Sequence, residues 1–363
     1  MDSNKAEYKR LGDYIREVDV RNRDLKVTNL LGLSMTKQFR PSTSNIVGVD
    51  LSKYKIVHKD VFAFDTMSVI RVHKVPIAMN LSKSPIIVSP VYITFECKDA
   101  NILNPKYLMM WFSRDEFDRY ADFKSDAAVR GGYNWKELCD TPIYLPPIEQ
   151  QQKIVSEYEA VTHRIHLNEQ IIAKLEETAQ ALYRKMFVDE IDKEHLPEGW
   201  RMGTLGEIAE ISSGKTCKDK SEQQIGTYQW AVAGASGIIG YTPTYNQDGN
   251  FITTGRVGTL GVVNRYDGKV FCADNVLIIK SIHYEYCYQI LRSIDYKELA
   301  KGGVQSLITQ TDLKNVEALL ADEQTLKLFE KQVSCISSQV RLKKQENIKL
   351  TELQSLLLAK MGK

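Results

Sequence analysis

Two stretches of this chain carry the same uninterrupted 4-3-4-3 rhythm, and they lie 175 residues apart. The first runs Ile154, Tyr158, Val161, Ile165, Asn168, Ile172, Leu175, Ala179, Leu182, Met186. The second runs Phe329, Val333, Ile336, Val340, Lys343, Asn347, Leu350, Gln354, Leu357, Met361. A mean spacing of 3.5 residues held over four heptads predicts helices that pack along a left-handed seam. Neither stretch contains an internal Pro or Gly. Each expected helix, with its flanking turns, covers about 39 residues, about 58 Å at the rise of an α-helix. Pro147 suits the first turn of the first helix and Asp322 the N-cap of the second. Two helices of equal length on one chain are expected to pack on each other, antiparallel. Asn168 and Lys343 hold the same place in the repeat, as do Ile172 and Asn347. These polar positions are either solvated interruptions of the seam or residues that fix its register. The second stretch also carries Leu326, Leu342, Ile348, Leu353, Leu356 and Leu358 off the seam, which suggests a further apolar face toward a partner.

The rhythm belongs to a larger duplication. Leu11-Gly12-Asp13 is echoed by Leu205-Gly206-Glu207, and Arg130-Gly131-Gly132 more loosely by Lys301-Gly302-Gly303. Leu145-Pro146-Pro147-Ile148-Glu149-Gln150 opens the first helix, and Leu320-Ala321-Asp322-Glu323-Gln324 the second. A period of this length is too long for a solenoid, so it reads as one globular module plus one long helix, made twice. At roughly 150 residues per domain, the 363 residues hold two or three domains. The division expected is a first module over 1–148, a helix over 149–187, a connector over 188–198, a second module over 199–322 and a helix over 323–363. Inside the modules short β-rich runs such as Pro85-Ile86-Ile87-Val88, Val91-Tyr92-Ile93-Thr94-Phe95, Gly261-Val262-Val263 and Asn275-Val276-Leu277-Ile278-Ile279 precede helical stretches near Tyr107–Tyr120 and Tyr284–Leu299. The fold class expected is α+β, with two similar globular domains separated by two long, coiled-coil-like helices.

Composition narrows the functional classes. With 43% hydrophobic and 26% charged residues the chain is of ordinary globular type. No apolar run approaches the roughly 18 residues of a membrane span, and no secretory leader opens it. Its six cysteines are scattered without a C-x-x-C pair, which speaks against a zinc site or disulfide framework and for a reducing, cytoplasmic setting. Residues 1–148 carry 22 basic and 18 acidic side chains, whereas residues 188–322 carry 13 and 18. Bulk attraction to phosphates is therefore weak, and any grip on nucleic acid must be local.

Catalytic patterns are sparse. Gly214-Lys215-Thr216 resembles the end of a phosphate-binding loop, but the leading Gly is missing and no helical periodicity follows. A basic loop near DNA suits it better. His163 and His166 share a helix face with no third metal ligand near them. No G-x-S-x-G, H-E-x-x-H or G-x-G-x-x-G string occurs. Thr254-Gly255-Arg256-Val257-Gly258-Thr259-Leu260-Gly261 remains open to two readings: a tight turn with a solvated Arg, or a glycine-lightened loop laid against DNA.

Taken together, the duplicated modules and matched helices resemble the specificity subunits of type I restriction-modification systems over essentially the whole chain. The pieces that carry the resemblance are Leu145-Pro-Pro-Ile-Glu-Gln-Gln, Leu196-Pro-Glu-Gly-Trp200, Phe64-Asp65-Thr66-Met67 with Ile87-Val88-Ser89-Pro90-Val91-Tyr92, and Gly237-Ile238-Ile239-Gly240-Tyr241 with Gly255-Arg256-Val257-Gly258-Thr259. The chain departs from the family pattern at Leu320-Ala-Asp and after Thr66-Met67. The resemblance implies two target-recognition domains, each reading one half of a split double-stranded DNA site. It implies that the paired helices set the separation of the halves and dock two adenine-methylating modification subunits, with restriction subunits as further partners. No catalytic residue and no cofactor are then expected on this chain; S-adenosylmethionine belongs to the modification subunit, and ATP and Mg to the restriction subunit. Expected DNA contacts are Ser68, Arg71, Lys74 and Arg130 in the first module and Lys215, Thr216, Arg256 and Gln305 in the second. The residues themselves leave two alternatives: a coiled-coil scaffold with two protein-binding domains, or a stand-alone nuclease or nucleotide-driven enzyme using Gly214-Lys215-Thr216.

Overall fold

The computed structural model describes residues 8–42, 48–67, 73–126, 132–189, 191–300 and 307–362. Its contacts divide the chain into two compact units, Met1–Asn168 with Gln345–Lys363, and Glu169–Lys344. Each unit holds one globular module and a portion of both long helices, so the helices are shared rather than set apart as segments of their own.

The long helices span Ile148–Phe187 and Glu323–Lys360. Every seam residue named from the 4-3-4-3 spacing is buried or half-buried in its unit. Within the first unit the helices run antiparallel: Arg164 Nε donates to Glu346 Oε1 at 2.7 Å, and Gln354 Nε2 to Thr162 Oγ1 at 2.7 Å. Asn168 is fully buried and its Nδ2 donates to Asn347 Oδ1 at 2.8 Å. Asn168 and Asn347 thus meet as a pair across the seam rather than as solvated interruptions. Asn168 meets Asn347 rather than Lys343, its equivalent in the repeat, because the direction of packing and not the repeat decides the neighbour. In the second unit the same arrangement is apolar, joining Ala179, Tyr183 and Phe187 to Leu326, Phe329 and Val333. Of the off-seam residues, Leu326 is core and Leu358 packs on the first module's core, whereas Leu342, Ile348, Leu353 and Leu356 are exposed.

The modules share a plan. In the first, an antiparallel sheet is ordered Ile15–Glu17, Ile93–Cys97, Phe62–Phe64, Ile77–Met79. In the second the order is Glu210–Ser213, Val276–Lys280, Phe251–Gly255, Val263–Tyr266. Each is first-fourth-second-third in chain order. A separate two-stranded ribbon pairs the module's first and last strands, Tyr8–Arg10 with Pro142–Tyr144 and Arg201–Thr204 with Glu317–Leu320. The predicted helical stretches each break in two, into Pro105–Phe112 and Asp115–Asp126, and into Tyr284–Ser293 and Tyr296–Leu299. Outside this plan the modules differ. The second adds a hairpin, Trp230–Gly234 with Gly237–Thr242, where the first has the pairs Leu31–Leu33 with Phe39–Pro41 and Lys55–Val57 with Ile86–Val88.

Bonds of similar kind close each module on its last strand and tie it to the helix that follows. Tyr107 donates its hydroxyl to the Tyr144 carbonyl at 2.9 Å, and Tyr286 does the same to the Leu319 carbonyl. Gln151 accepts from the Asn104 amide and donates to the Ile102 and Pro146 carbonyls. Glu330 accepts from the amides of Glu285 and Tyr286. Gly12 and Gly206 also match. A Cβ on Gly12 would lie 2.7 Å from Cys139 Cβ, and one on Gly206 3.0 Å from Lys314 Cβ. Each glycine therefore lets a short helix, Trp135–Cys139 or Gln310–Lys314, lie against the module's opening turn.

Asp322 caps the second long helix, as its position in the sequence predicts. Its Oδ1 accepts from the Gln324 and Thr325 amides, each at 3.0 Å, and its Oδ2 from Trp200 Nε1 at 2.8 Å. Pro147 stands one place before the first helix and accepts the Gln151 amide through its carbonyl.

Two outcomes follow from this packing. Phe329 is fully buried and its ring lies 5.2 Å from Phe187 and 6.1 Å from Tyr286. Phe329→Ala will lower stability of the second unit by about 3–5 kcal/mol, read as a shift of its denaturant midpoint. The hydrogen bonds from Thr325, Gln324 and Trp200 hold the Asp322 carboxyl down at about 2, against an ordinary value of 3.8. A depressed folded pKa adds stability at neutral pH that is lost as pH falls from about 4 to about 2. Thermal melts across that window will show the loss, and Asp322→Asn will flatten it.

Candidate nucleic-acid interface

Three neighbouring strands of the second module end side by side. Ser213 closes Glu210–Ser213, Arg256 follows Phe251–Gly255, and Asn275 precedes Val276–Lys280. The register pairs Ser213 with Leu277 and Gly255 with Val276, which brings the three to one edge of the sheet. The Arg256 amide donates to the Asn275 carbonyl at 3.0 Å, and the Arg256 carbonyl accepts from the Ile308 amide at 2.9 Å. Gln310, in the short helix Gln310–Lys314, donates Nε2 to Ser213 Oγ at 2.8 Å. All four residues are half-buried.

Arg256 is held loosely here. Its Nη1 makes one long contact, 3.5 Å, with Ser213 Oγ, and its buried Nε has no partner. The buried Oδ1 of Asn275 also has none. The Arg256 side chain is thus half-buried at a polar strand-end cluster. The glycines have a task within the fold. A Cβ on Gly255 would fall 1.9 Å from the Thr259 carbonyl oxygen, and Gly258 has φ of 78°. They let the loop close on its own backbone.

Lys215 and Thr216 stand beside this cluster. Lys215 is exposed and donates its amide to the Cys272 carbonyl at 2.9 Å; Thr216 donates its hydroxyl to Asp274 Oδ2 at 2.7 Å. No helix follows Gly214, whose absent Cβ would lie 1.9 Å from the Ala273 carbonyl oxygen. Backbone fills the place where a phosphate cradle needs room.

At the matching edge of the first module stand Asp65 and Tyr92, which follow Phe64 and precede Ile93. The amide of Tyr133 donates to the Thr66 carbonyl at 3.2 Å, a bond like that of Ile308 to Arg256 but one residue further along. Met67 and Val91 project there, 66% and 74% exposed. Lys74 is exposed nearby. Behind this edge lies a buried ion pair that no sequence pattern announces, Lys37 Nζ to Asp118 Oδ1 at 2.8 Å. Burial lowers the Lys37 pKa despite that partner, and the pair joins the turn between Leu31–Leu33 and Phe39–Pro41 to helix Asp115–Asp126. Ser68, Arg71, Arg130 and Gln305 lie outside the described residues. Sequence reasoning names Arg256 and gives no sign of its neighbours Ser213, Asn275 and Gln310, because only strand pairing brings them together. His163 and His166 are exposed, and no group of three His, Cys, Asp or Glu among the described residues is placed to hold a metal.

The family described as the type I restriction modification DNA specificity domain matches residues 18–177 and, a second time, residues 197–359. The chain belongs to that family. Its two copies coincide with the two modules, each with most of its following helix. The specificity subunit of the type I restriction enzyme HindI of Haemophilus influenzae is 21% identical, over 76% of this chain and 80% of that one. The crystal structure of a type I restriction-modification system S subunit from M. genitalium superposes with a TM-score of 0.60 at 16% identity, covering 99% of this chain and 97% of that one. The duplicated α+β fold with two long helices is thus the fold of these subunits, and this chain is a type I specificity subunit with two target-recognition domains.

The backbone around Gly214 has an outcome of its own. Titration of the chain with a fluorescent ATP analogue will give no saturable binding that Lys215→Ala abolishes.

Proposed function

We propose that the two modules read the two halves of a bipartite double-stranded DNA site, and that the long helices set the spacing of the halves. The observation that carries this reading is the repeated plan: one sheet order, one closing ribbon and one tyrosine bond to the closing strand, made twice in a single chain. Two copies of one reading device suit two half-sites. Their strand-end edges differ, Arg256 and Asn275 against Asp65 and Tyr92, which suits half-sites of different sequence. Phosphate contacts supply affinity and base-edge contacts discrimination. Lys74, Lys215 and Thr216 are proposed for the first task and Arg256 for the second, with Ser68, Arg71, Arg130 and Gln305 as further contacts.

In this reading the chain does no chemistry. Two modification subunits dock on the helices and methylate adenine with S-adenosylmethionine that they hold themselves. Restriction subunits, where they join, bring ATP and Mg. The setting is the cytoplasm, where the DNA lies; no helix among the described residues is long and apolar enough to cross a membrane.

Helix length gives the test. Seven residues inserted after Ala173 and seven after Ile348 preserve the seam's rhythm and lengthen each helix by about 10 Å, or about three base pairs. Methylome sequencing of a host expressing this variant with its modification subunits will return both half-site sequences unchanged and a longer spacer between them. Altered half-sites with an unaltered spacer would reject the reading.

A further inference from the structure

The strand-end cluster of the second module offers a particular hydrogen-bonding pattern. Arg256 has N–H groups in excess of its acceptors: one long contact to Ser213 and an unpartnered Nε. It forms no ion pair among the described residues. Directly beside it, held by the bond between the Arg256 amide and the Asn275 carbonyl, Asn275 carries an acceptor oxygen that no donor meets. A buried polar group left unmet is costly, so both side chains gain by turning toward a ligand that supplies what they lack. That ligand must offer acceptors to a guanidinium and a donor to the neighbouring amide oxygen.

In the major groove one base pair has that arrangement. Guanine presents two acceptors, N7 and O6, and its paired cytosine presents an N4 amino donor. An A·T pair presents a single acceptor, then a donor, then an acceptor and a methyl group. It can satisfy Arg256 only in part. We propose that the second module reads a G·C pair, Arg256 donating to guanine N7 and O6 while Asn275 Oδ1 accepts from cytosine N4. Gln310 holds Ser213 by a 2.8 Å bond and is a positioning residue for the arginine. In the first module Asp65 and Tyr92 stand at the matching places instead of an Arg and an Asn. This inference rests on the proposal that the modules read DNA, and adds the base pair that one of them reads.

The test uses the full chain assembled with its modification subunits. Methylome sequencing first defines the wild-type motif, which will hold a G·C pair in the half-site that Arg256 reads. Competition binding then compares duplexes in which that guanine is replaced by 7-deazaguanine, which lacks N7, or the pair is replaced by A·T. Wild type will lose roughly 5- to 150-fold in affinity on replacement of the pair. Arg256→Gln will lose that preference at one half-site and keep the other half-site intact. Asn275→Asp, which keeps an acceptor, will retain the preference, and Asn275→Leu will weaken it. If Arg256→Gln does not fold, the 7-deazaguanine duplex still tests the contact with unaltered protein. Equal weakening on all sequences would make Arg256 a phosphate contact and overturn the inference, as would indifference to 7-deazaguanine. A bipartite motif without a G·C pair sensitive to Arg256 rejects this inference alone. A wild-type complex without any bipartite motif rejects the reading of function, and this inference with it.

Discussion

The pairing of each module's first strand with its last is the constraint on which the rest depends. It returns the chain to its starting point just before a long helix begins, so that module and helix meet at one fixed place. The bonds that cluster there repeat in kind. A tyrosine hydroxyl reaches a carbonyl of the closing strand, and a polar side chain from the helix engages the opening of the module's main helix. The tyrosines and Gln151 are buried, and a buried donor or acceptor left alone costs about 1–3 kcal/mol. The attachment is therefore specific in angle as well as favourable in energy.

The chemistry of the attachment nonetheless differs between the two units. The first module presents Trp111, Tyr107 and Leu108 in a core that takes in Ile154, Tyr158 and Leu358 from the helices. In the second, Arg265 lies 3.4 Å over the Tyr288 ring, pairs with Glu285 at 2.9 Å and donates to Ser337 of the second long helix at 2.7 Å. Glu285 is buried enough that its pKa is raised even with Arg265 beside it. Both attachments rest on apolar contact, and the second adds this charged network to it.

Much of this is legible in the residues. The helices can be read because 4-3-4-3 spacing over four heptads matches the period of a packed helix and no strand or turn, and because Asp322 and the absence of internal Pro and Gly mark their limits. The sheets can be read only as β-rich runs. Strands of three residues such as Phe62–Phe64 and Ile77–Met79 are too short to reveal their partners, and their order follows from tertiary packing. The partner of Asn168 is hidden for a related reason: a repeat gives equivalence, not adjacency. Arg256 can be picked from its glycine-rich setting, but that setting does not reveal that Gly255 also serves the loop's own closure. Ser213, Asn275 and Gln310 lie up to 97 residues apart, and nothing local marks any of them.

The division into units has a bearing on damage to the gene. The second unit is one unbroken stretch, Glu169–Lys344, whereas the first is completed by Gln345–Lys363 from the far end of the chain. Met361 is only 2% exposed within the first module's core, and the Gly362 carbonyl accepts the Tyr8 hydroxyl at 2.9 Å. A premature stop codon that removes these last residues would thus wound the amino-terminal reader while sparing the one nearest to the break.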